Sequence, residues 1–575
     1  MKSIEQALAT AMNHAVFAAY GEQPSEPVKI VIPPDLSFGD FAIECFALAK
    51  QFKKAPPVVA KELVEHLMSD ALATYSAVGP YINARLKNGI LFKAACRTNE
   101  PVSAIGKTVM VEYLSPNTNK PLHLGHVRNG VLGMAISNIL AWTGHTVIKA
   151  NLVNDRGVHI CKSMLAWMKF ANGETPESTG KKGDHFVGEY YVKFAQVAKD
   201  DPAIEDEAQA LLRKWEEGDP ETIDLWKTMN AWVYAGFAKT YEKLGFFFDA
   251  FYFESDLYML GKDIVQKGVE QGIFEKDEKG AIIYMLPEEK FGTSKDGVPK
   301  KRVLLRSDGT SVYMTQDLGV AVKKAEHHEF DASIYVVACE QDDHFKVLFD
   351  ILQAMGFPWA KQCHHLSYGM VELPSGRMKS REGTVVDADD LVADVVALAA
   401  AEVRTKNPEL PEEEVMRRAE VIGVGAIKFY LIRANPKQKI KFDPQESIAF
   451  DGVTARYVQY AYVRAASVAE KASAAGLSTD GVAYAALGNE EERVLAQALL
   501  AFGTSPGKAA ELYNPAILAS AVYELAKAFH QFYTKHQVVS DAIELSKARL
   551  SLVKATALAI KTGLNMLGID VLEKM

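Results

Sequence analysis

The chain has 575 residues, 48% of them hydrophobic, 24% charged and 10% aromatic, with a formal net charge of −9. That length sets roughly three to five packed units and excludes a small single-module binder, while the composition gives no case for disorder. The acidic balance excludes wholesale coating of a polyanion, so an RNA partner has to be met by a local basic patch acting over roughly 8–10 Å at ordinary salt.

Five cysteines (Cys45, Cys96, Cys161, Cys339, Cys363) lie far apart with no C-x-x-C pair, so neither a disulfide framework nor a structural zinc knuckle is encoded. Residues 1–20 carry Glu5 and no long apolar run, no arginine precedes Arg85, and no uncharged stretch approaches the roughly 18 residues that span a bilayer. The expectation is a cytoplasmic protein without a membrane segment.

In chain order, residues 4–19 predict a helix and residues 28–32 a short strand stopped by Pro33 and Pro34. Helical patterns follow over 41–50 and 58–68, then a strand over 81–86, which makes 1–100 an α+β unit. A strand over 108–114, a loop holding Pro116 and Pro121, a helix over 123–143 and a strand over 147–152 form a βαβ unit within 101–160, half of a doubly wound nucleotide-binding sheet. Residues 161–300 read as a mostly helical insertion. The second sheet half, 301–390, resumes with a hairpin of 303–306 and 311–314 around Ser307-Asp-Gly-Thr310, then a strand over 334–339 and a helix. In 391–575 strands nearly vanish, and Val522, Leu525, Phe529 and Phe532 recur at three- and four-residue steps, as do Val553, Ala557, Ile560, Leu564 and Leu567. That is a helical bundle, with Gly568 as its last cap. The expected fold class is α/β: a doubly wound parallel nucleotide-binding sheet with an inserted module, an N-terminal α+β domain and a C-terminal all-helical bundle.

The segment Ser115-Pro-Asn-Thr-Asn-Lys-Pro-Leu-His-Leu-Gly-His126 lies between a strand and a helix, where the helix dipole and free N–H groups favour a phosphate. His123 and His126 can both face that point and offer N–H donors to a phosphoryl oxygen, with capping or packed histidines as the competing reading, and Gly125 lets a flat ring approach the backbone. Glu112 and Asp317 sit at edges expected to face the cleft, and paired carboxylates suit a planar, permanently charged guanidinium, with solvated strand-end acids as the competing reading. Cys363-His-His365 is no zinc site, since adjacent residues on a strand point to opposite faces.

The segment ending at His126 resembles the signature of class I aminoacyl-tRNA synthetases, with Leu124 in place of the usual Ile. Gly376-Arg-Met-Lys-Ser-Arg-Glu-Gly383 occupies the place of the second signature but departs from it: aligned on Met378, Ser380 stands where a pyrophosphate-binding lysine belongs. Lys120 is the candidate substitute, with Lys379 and Arg381 as rivals. Within the class the chain resembles the arginyl-tRNA synthetases over essentially its whole length, through three further stretches at 305–317, 334–344 and 450–460.

The resemblance implies that arginine and ATP yield arginyl adenylate and pyrophosphate, that the arginyl group passes to the terminal ribose of the tRNA for arginine, and that activation needs bound tRNA. It assigns His123, His126 and Lys120 to catalysis, and Gly125, Met378, Lys379, Ser380 and Arg381 to ATP. Asn129 and His344 would face adenine or ribose, with polar capping as the competing reading. Glu112 and Asp317 would hold the guanidinium, Tyr313 would pack on it, and Asn117 and Gln341 would contact the backbone end of the amino acid. Mg²⁺ is expected on the phosphates and water, with no protein ligand cluster. A monomer is expected.

From Val421 to Phe442 there is no Asp or Glu, while Lys428, Arg433, Lys437, Lys439 and Lys441 fall within it, a candidate phosphate track or simply a solvated face. Arg456, Tyr457, Tyr460, Tyr462 and Arg464 follow, and aromatic rings with guanidinium planes read unpaired bases. By resemblance this bundle grips the anticodon arm through Tyr457 and Tyr460, with core packing as the competitor. The N-terminal unit would touch the tRNA elbow through Phe38-Gly-Asp40-Phe41. Two alternatives remain open: a catalytically silent RNA-binding paralogue, and an adenylating ligase of the same superfamily with a small-molecule acceptor.

Overall fold

An amphipathic helix, Lys2–Tyr20, opens the chain and packs Leu8, Met12, Ala15 and Val16 inward, largely against the helix Pro56–Leu67. The computed structural model describes residues 2–33, 35, 37–67, 71–98, 103–294, 296–374 and 386–575. Beside these helices lies an antiparallel sheet of β1 (Ile30–Val31), β2 (Phe41–Glu44), β3 (Ala73–Val78) and β4 (Tyr81–Leu86), in the order β1-β2-β4-β3. The helix expected over 41–50 is therefore a strand followed by the helix Phe46–Phe52. The strand β2 sits between β1 and β4 with Phe41, Ala42 and Ile43 all buried, so it lacks the alternation that betrays a half-exposed strand.

The main sheet contains β5 (Thr108–Glu112), β6 (Thr146–Val153) and β7 (Ala250–Phe253). A separate antiparallel sheet follows, of β8 (Glu275–Lys276), β9 (Ile282–Met285) and β10 (Lys301–Leu305). The strands β11 (Ala332–Ala338) and β12 (Cys363–Tyr368) then complete the main sheet, which is parallel throughout with the order β12-β11-β5-β6-β7. This is the doubly wound arrangement, with its order reversing between β5 and β11. The expected single insertion over 161–300 is corrected: five helices between 158 and 244 form the inserted unit, but the chain then returns to lay β7 on the sheet edge. The expected hairpin is corrected as well. Only a bridge joins Leu305 to Ser311, and Tyr313 and Met314 begin the helix Tyr313–His327, whose first turn is held by Thr315 Oγ1 accepting from Val312 N.

The helix Leu124–Trp142 runs through the centre of the molecule and is buried on nearly every side, including Arg128 at 0% exposure. Its closeness to the sheet is set at Gly133, where a Cβ would lie 2.3 Å from Cγ of Tyr113. Arg128 donates through Nη1 to the carbonyls of Gly369 (2.5 Å) and Met370 (3.2 Å), and through Nη2 to those of Pro436 (3.0 Å) and Gln438 (2.8 Å). It thereby joins the end of the main sheet to the C-terminal part, where β13 (Val371–Glu372) pairs in parallel with β14 (Ile440–Lys441).

The rest of the C-terminal part is helical, and the final helix Ile543–Met566 ends at Gly568 with φ +71°. Gly568 N donates to Asn565 O and Ile569 N to Leu564 O, which closes the helix as expected. The N-terminal domain docks on this bundle through Asp40, which is 3% exposed. Arg493 Nη2 donates to both Asp40 oxygens (3.1 and 2.8 Å), Gln497 Nε2 to Oδ1 (2.5 Å) and Leu86 N to Oδ2 (2.7 Å). Among the described residues no helix is long and apolar enough to cross a membrane.

Replacing Arg128 by Met strands buried carbonyls and is expected to cost about 3–5 kcal/mol of stability. Lys at the same position recovers only part of this, because one ammonium cannot match the planar fork. Denaturant midpoints of the two variants against the parent check both statements.

Candidate active site

In an open parallel sheet a ligand crevice lies at the carboxyl ends of the strands, where the order reverses. Here that point falls between β5 and β11, followed by residues 113–126 and by the turn Cys339–Gln341. The chain leaves β5 through two successive left-handed residues, Leu114 (φ +78°) and Ser115 (φ +45°), neither of them glycine. Such residues cost about 1–3 kcal/mol each and persist only where the surroundings fix them. Asn129 Oδ1 accepts from Leu114 N (2.5 Å), and Asn151 Oδ1 accepts from Ser115 N (3.2 Å). Asn129 Nδ2 donates to Val336 O (2.7 Å) and to the Tyr368 hydroxyl (3.2 Å). The ATP contact expected of Asn129 is corrected: its amide is buried and braces β5, β11 and β12.

The turn delivers His123 and His126 to the mouth of the helix Leu124–Trp142 with their rings stacked 3.8 Å apart at 30°. Gly125 makes this possible, since a Cβ there would stand 3.0 Å from both Cε1 and Nδ1 of His123. His123 N donates to His126 Nδ1 (3.1 Å), so in a neutral His126 the proton sits on Nε2 and is free to be donated. His123 Nδ1 is buried without a hydrogen-bond partner. Burial, with Lys120 beside the rings, pushes His123 down to about 4; burial, His123 and Lys120 push His126 well below the usual imidazole range. Burial also lowers Lys120. Two neutral donors and one ammonium therefore converge on a helix N-terminus, a combination suited to a polyphosphate.

Two clefts meet at Lys120. One, of about 540 Å³, is lined by His123, His185, Tyr190, Lys193 and Asp387 as well as Lys120. The other, of about 680 Å³, is lined by Lys120, Asn117, Arg156, Glu254, Tyr313 and Asp317, among others. Both are within the size range of small-molecule sites. The second cleft brings together the predicted Asn117, Tyr313 and Asp317, with Tyr313 78% exposed at its rim.

Glu112 does not line this cleft. At 5% exposure its carboxylate accepts a buried ion-paired hydrogen bond from Lys324 of the helix Tyr313–His327. The expected pairing of Glu112 with Asp317 across one open pocket is corrected accordingly; the inner position of Glu112 in the central strand gives its carboxylate to Lys324. His344, expected to face adenine or ribose, pairs through Nε2 with Asp317 Oδ2 at 2.5 Å. Gln341 is exposed on the turn after β11. Met378, Lys379, Ser380 and Arg381 lie outside the described residues.

The sequence reading missed Glu254, the residue directly after β7 and thus at the carboxyl end of a sheet strand. Assigning 161–300 to an insertion hid that position. Burial, with Asp155 and Asp317 close by, pushes Glu254 up to about 7 against the pull of Arg156.

Among the expected RNA contacts, Phe38 is 48% exposed, and Lys437 and Lys439 are exposed. Asp40 is corrected: both its oxygens are taken by the interdomain bonds described above. Lys428 leaves the basic stripe, since it is buried and donates to Gly568 O (2.6 Å). Tyr457 and Tyr460 are half-buried and pack on His530, while the Arg464 guanidinium lies 4.3 Å over the Tyr460 ring and 5.3 Å from that of Tyr533. Tyr462 belongs to the core at 6% exposure.

Family models match nearly the whole chain: an arginyl tRNA synthetase N terminal domain over residues 2–86, the catalytic domain of tRNA synthetases class I (R) over 90–443, and a DALR anticodon binding domain over 458–575. The chain is 40% identical to an arginine–tRNA ligase of Bacteroides thetaiotaomicron, with 100% of both chains covered. It is 42% identical to one of Treponema denticola, covering 96% of this chain and 95% of that one. Among solved structures it is similar to the arginyl-tRNA synthetase of Thermus thermophilus, with a TM-score of 0.84 at 28% identity over 99% of this chain and 100% of the other. The arginyl-tRNA synthetase of Plasmodium falciparum shares the fold, with a TM-score of 0.79 at 17% identity over 100% and 99% of the two chains.

The depressed imidazoles fix a sign. Between the ordinary histidine value of about 6.5 and the His123 value of about 4, the unfolded chain binds protons that the native site refuses, so stability falls as pH drops through that window. Histidine NMR titration of the free protein is expected to show His123 neutral at pH 5, and His123→Gln is expected to flatten part of the stability loss.

Proposed function

The chain belongs to the arginyl-tRNA synthetase family of class I and is an arginine–tRNA ligase; on that premise we propose how its residues divide the work. The arginine guanidinium lies in the second cleft against Asp317 and Glu254, with Tyr313 on its face and Asn117 and Gln341 toward its backbone end. Glu112 supports this cleft from behind through Lys324. The α-carboxylate of arginine attacks the α-phosphorus of ATP, forming the acyl–phosphate bond of the adenylate as the bond to pyrophosphate breaks. His123 and His126 donate N–H bonds to the oxygens on which charge gathers, and Lys120 takes the place of the lysine absent at Ser380. A hydroxyl of the tRNA terminal ribose then attacks the adenylate carbonyl and AMP departs. The observation that carries this reading is the meeting of the imidazole cleft and the acid-lined cleft at Lys120.

Mg²⁺ would sit on the phosphates and water. Among the described residues one group, Asp184, His185 and Asp389, offers three ligand atoms within 4.8 Å of one another, but Lys182 Nζ already lies 3.0 Å from Asp184 and 2.6 Å from Asp389, which does not suit a dication. The exposed Lys437 and Lys439, with the Tyr457, Tyr460 and Arg464 cluster, would meet the anticodon arm, and Phe38 on the N-terminal domain would meet the elbow. The protein is read as a cytoplasmic monomer.

Charging of total tRNA with each labelled amino acid is expected to incorporate arginine alone, and ATP–pyrophosphate exchange to require tRNA. Lys120→Ala should lower adenylate formation by roughly a hundredfold, the scale of one removed charge-stabilising donor, with tRNA affinity held within about twofold; a loss of tRNA binding instead would sink the assignment.

A second expectation concerns pH. Arginine is a permanent cation, so it binds the ionised form of Glu254 and expels a proton wherever that carboxyl is protonated in the free enzyme. With Glu254 pushed up to about 7, KM for arginine should fall as pH rises from roughly 6 to 8. Glu254→Gln should raise KM and remove this slope, as steady-state charging at several pH values would show.

A further inference from the structure

The inserted helix Gly183–Asp200 touches the imidazole site through a charged cluster that the reaction described above leaves without a role. Lys182 Nζ donates to Asp389 Oδ2 (2.6 Å), Thr240 Oγ1 (2.6 Å) and Asp184 Oδ2 (3.0 Å). His185 Nε2 lies 3.1 Å from Asp389 Oδ2 and 3.3 Å from Asp387 Oδ2. Thr240 Oγ1 donates to the other Asp389 oxygen at 3.0 Å. The hydrogen bond to Asp389 raises the His185 pKa, against the opposing effects of burial and of Lys182.

The two aspartates are attached to the signature segment by its backbone. Asp387 pairs with His123 in an antiparallel bridge, Leu124 N donates to Val386 O (3.3 Å), and Ala388 N donates to Leu122 O (2.9 Å). Asp387 Oδ1 meanwhile accepts from Asp389 N (2.7 Å) at the start of the helix Ala388–Lys406. Farther along the inserted helix, Gly188 lies so near the segment that a Cβ would stand 2.7 Å from Pro121 Cδ. One helix therefore grips 386–389 by charge and 120–121 by contact, and the two stretches are hydrogen-bonded to each other beside His123.

We propose that Lys182 and His185 are positioning residues for adenylate formation, holding Asp387 and Asp389 so that the backbone paired with them sets His123 in place at the helix mouth. In this role they act through His123, although His185 also lines the same cleft. The inserted unit is thereby a working part of the phosphate site as well as a spacer between strands. The inference rests on the reaction assigned above.

The test measures tRNA-dependent ATP–pyrophosphate exchange in the full-length enzyme for His185→Ala, His185→Gln and His185→Lys, each in the parent and in a His123→Asn background. In the parent background His185→Ala is expected to lower kcat at least tenfold with KM for arginine unchanged within twofold, and His185→Lys, which restores a nitrogen donor to the two aspartates, to recover most of the loss. In the His123→Asn background the same change should cost less than twofold, because the residue it acts through is already gone. An equal loss in both backgrounds, a change confined to KM, or no change would overturn the proposal. Should His185→Ala melt well below the parent, His185→Gln decides by the same comparison.

Amide exchange by mass spectrometry gives a readout independent of turnover. Peptides holding Leu124 and Ala388 should exchange at least tenfold faster in His185→Ala and in Lys182→Met, and unchanged exchange would overturn the proposal even if activity fell. A parent enzyme that charges no arginine would instead count against the assigned reaction, with the exchange measurement still deciding the coupling.

Discussion

A single guanidinium, that of Arg128, carries the constraint on which the architecture rests. It is fully enclosed, and its nitrogens are shared among four backbone carbonyls drawn from the end of the main sheet and from the first part of the helical tail. A buried cation is tolerable only when most of its donors are met; here backbone oxygens meet both terminal nitrogens, Nε is left without a partner, and among the described residues no carboxylate joins them. Because Arg128 sits two residues after His126, the same turn of helix that presents the imidazoles also fixes how sheet and tail are set. The position of the helix mouth that carries the imidazoles and the packing of the domains are therefore one problem with one solution.

The electrostatics of the site follow a division between its two clefts. On the imidazole side, burial and the neighbouring Lys120 disfavour the charged form of both rings, which suits them to act as preorganised neutral donors. On the acid side, Asp317 is paired with His344 and Glu254 is pushed up to about 7 beside Arg156, so the cleft offers two carboxyl groups already partly matched by basic neighbours. Glu112 lies deeper, and its pairing with Lys324 prevents an unmatched carboxylate in the core of the sheet.

Much of this was legible in the chain itself, for reasons that can be named. The signature at 115–126 combines a strand end, a helix start and two imidazoles at fixed spacing, and such local chemistry survives without knowledge of tertiary contacts. The helical tail was legible because its apolar residues keep a regular step. What failed was long-range. The strand β2 is covered on both faces and loses its alternation, and β7 is four residues long and follows a long helical stretch, so nothing local marks it as part of the main sheet; Glu254 was missed with it. The resemblance points to Asn129 and Asp40 as ligand contacts, Asn129 beside the signature segment and Asp40 within Phe38-Gly-Asp40-Phe41. Their partners, at Leu114 and Val336 in one case and at Arg493 and Gln497 in the other, are set by folding rather than by neighbourhood in sequence.

The bond between Asp40 and Arg493 joins positions 453 residues apart. During synthesis at about 5–20 residues per second, the aspartate leaves the ribosome roughly 20–90 s before its arginine exists. Through that interval Asp40 can accept only within the first domain, from Leu86 N, and its interdomain bonds wait for the helix that carries Arg493 and Gln497. The seating of the first domain thus joins one of the earliest parts of the chain to one of the latest, and this contact cannot form until most of the chain has been made.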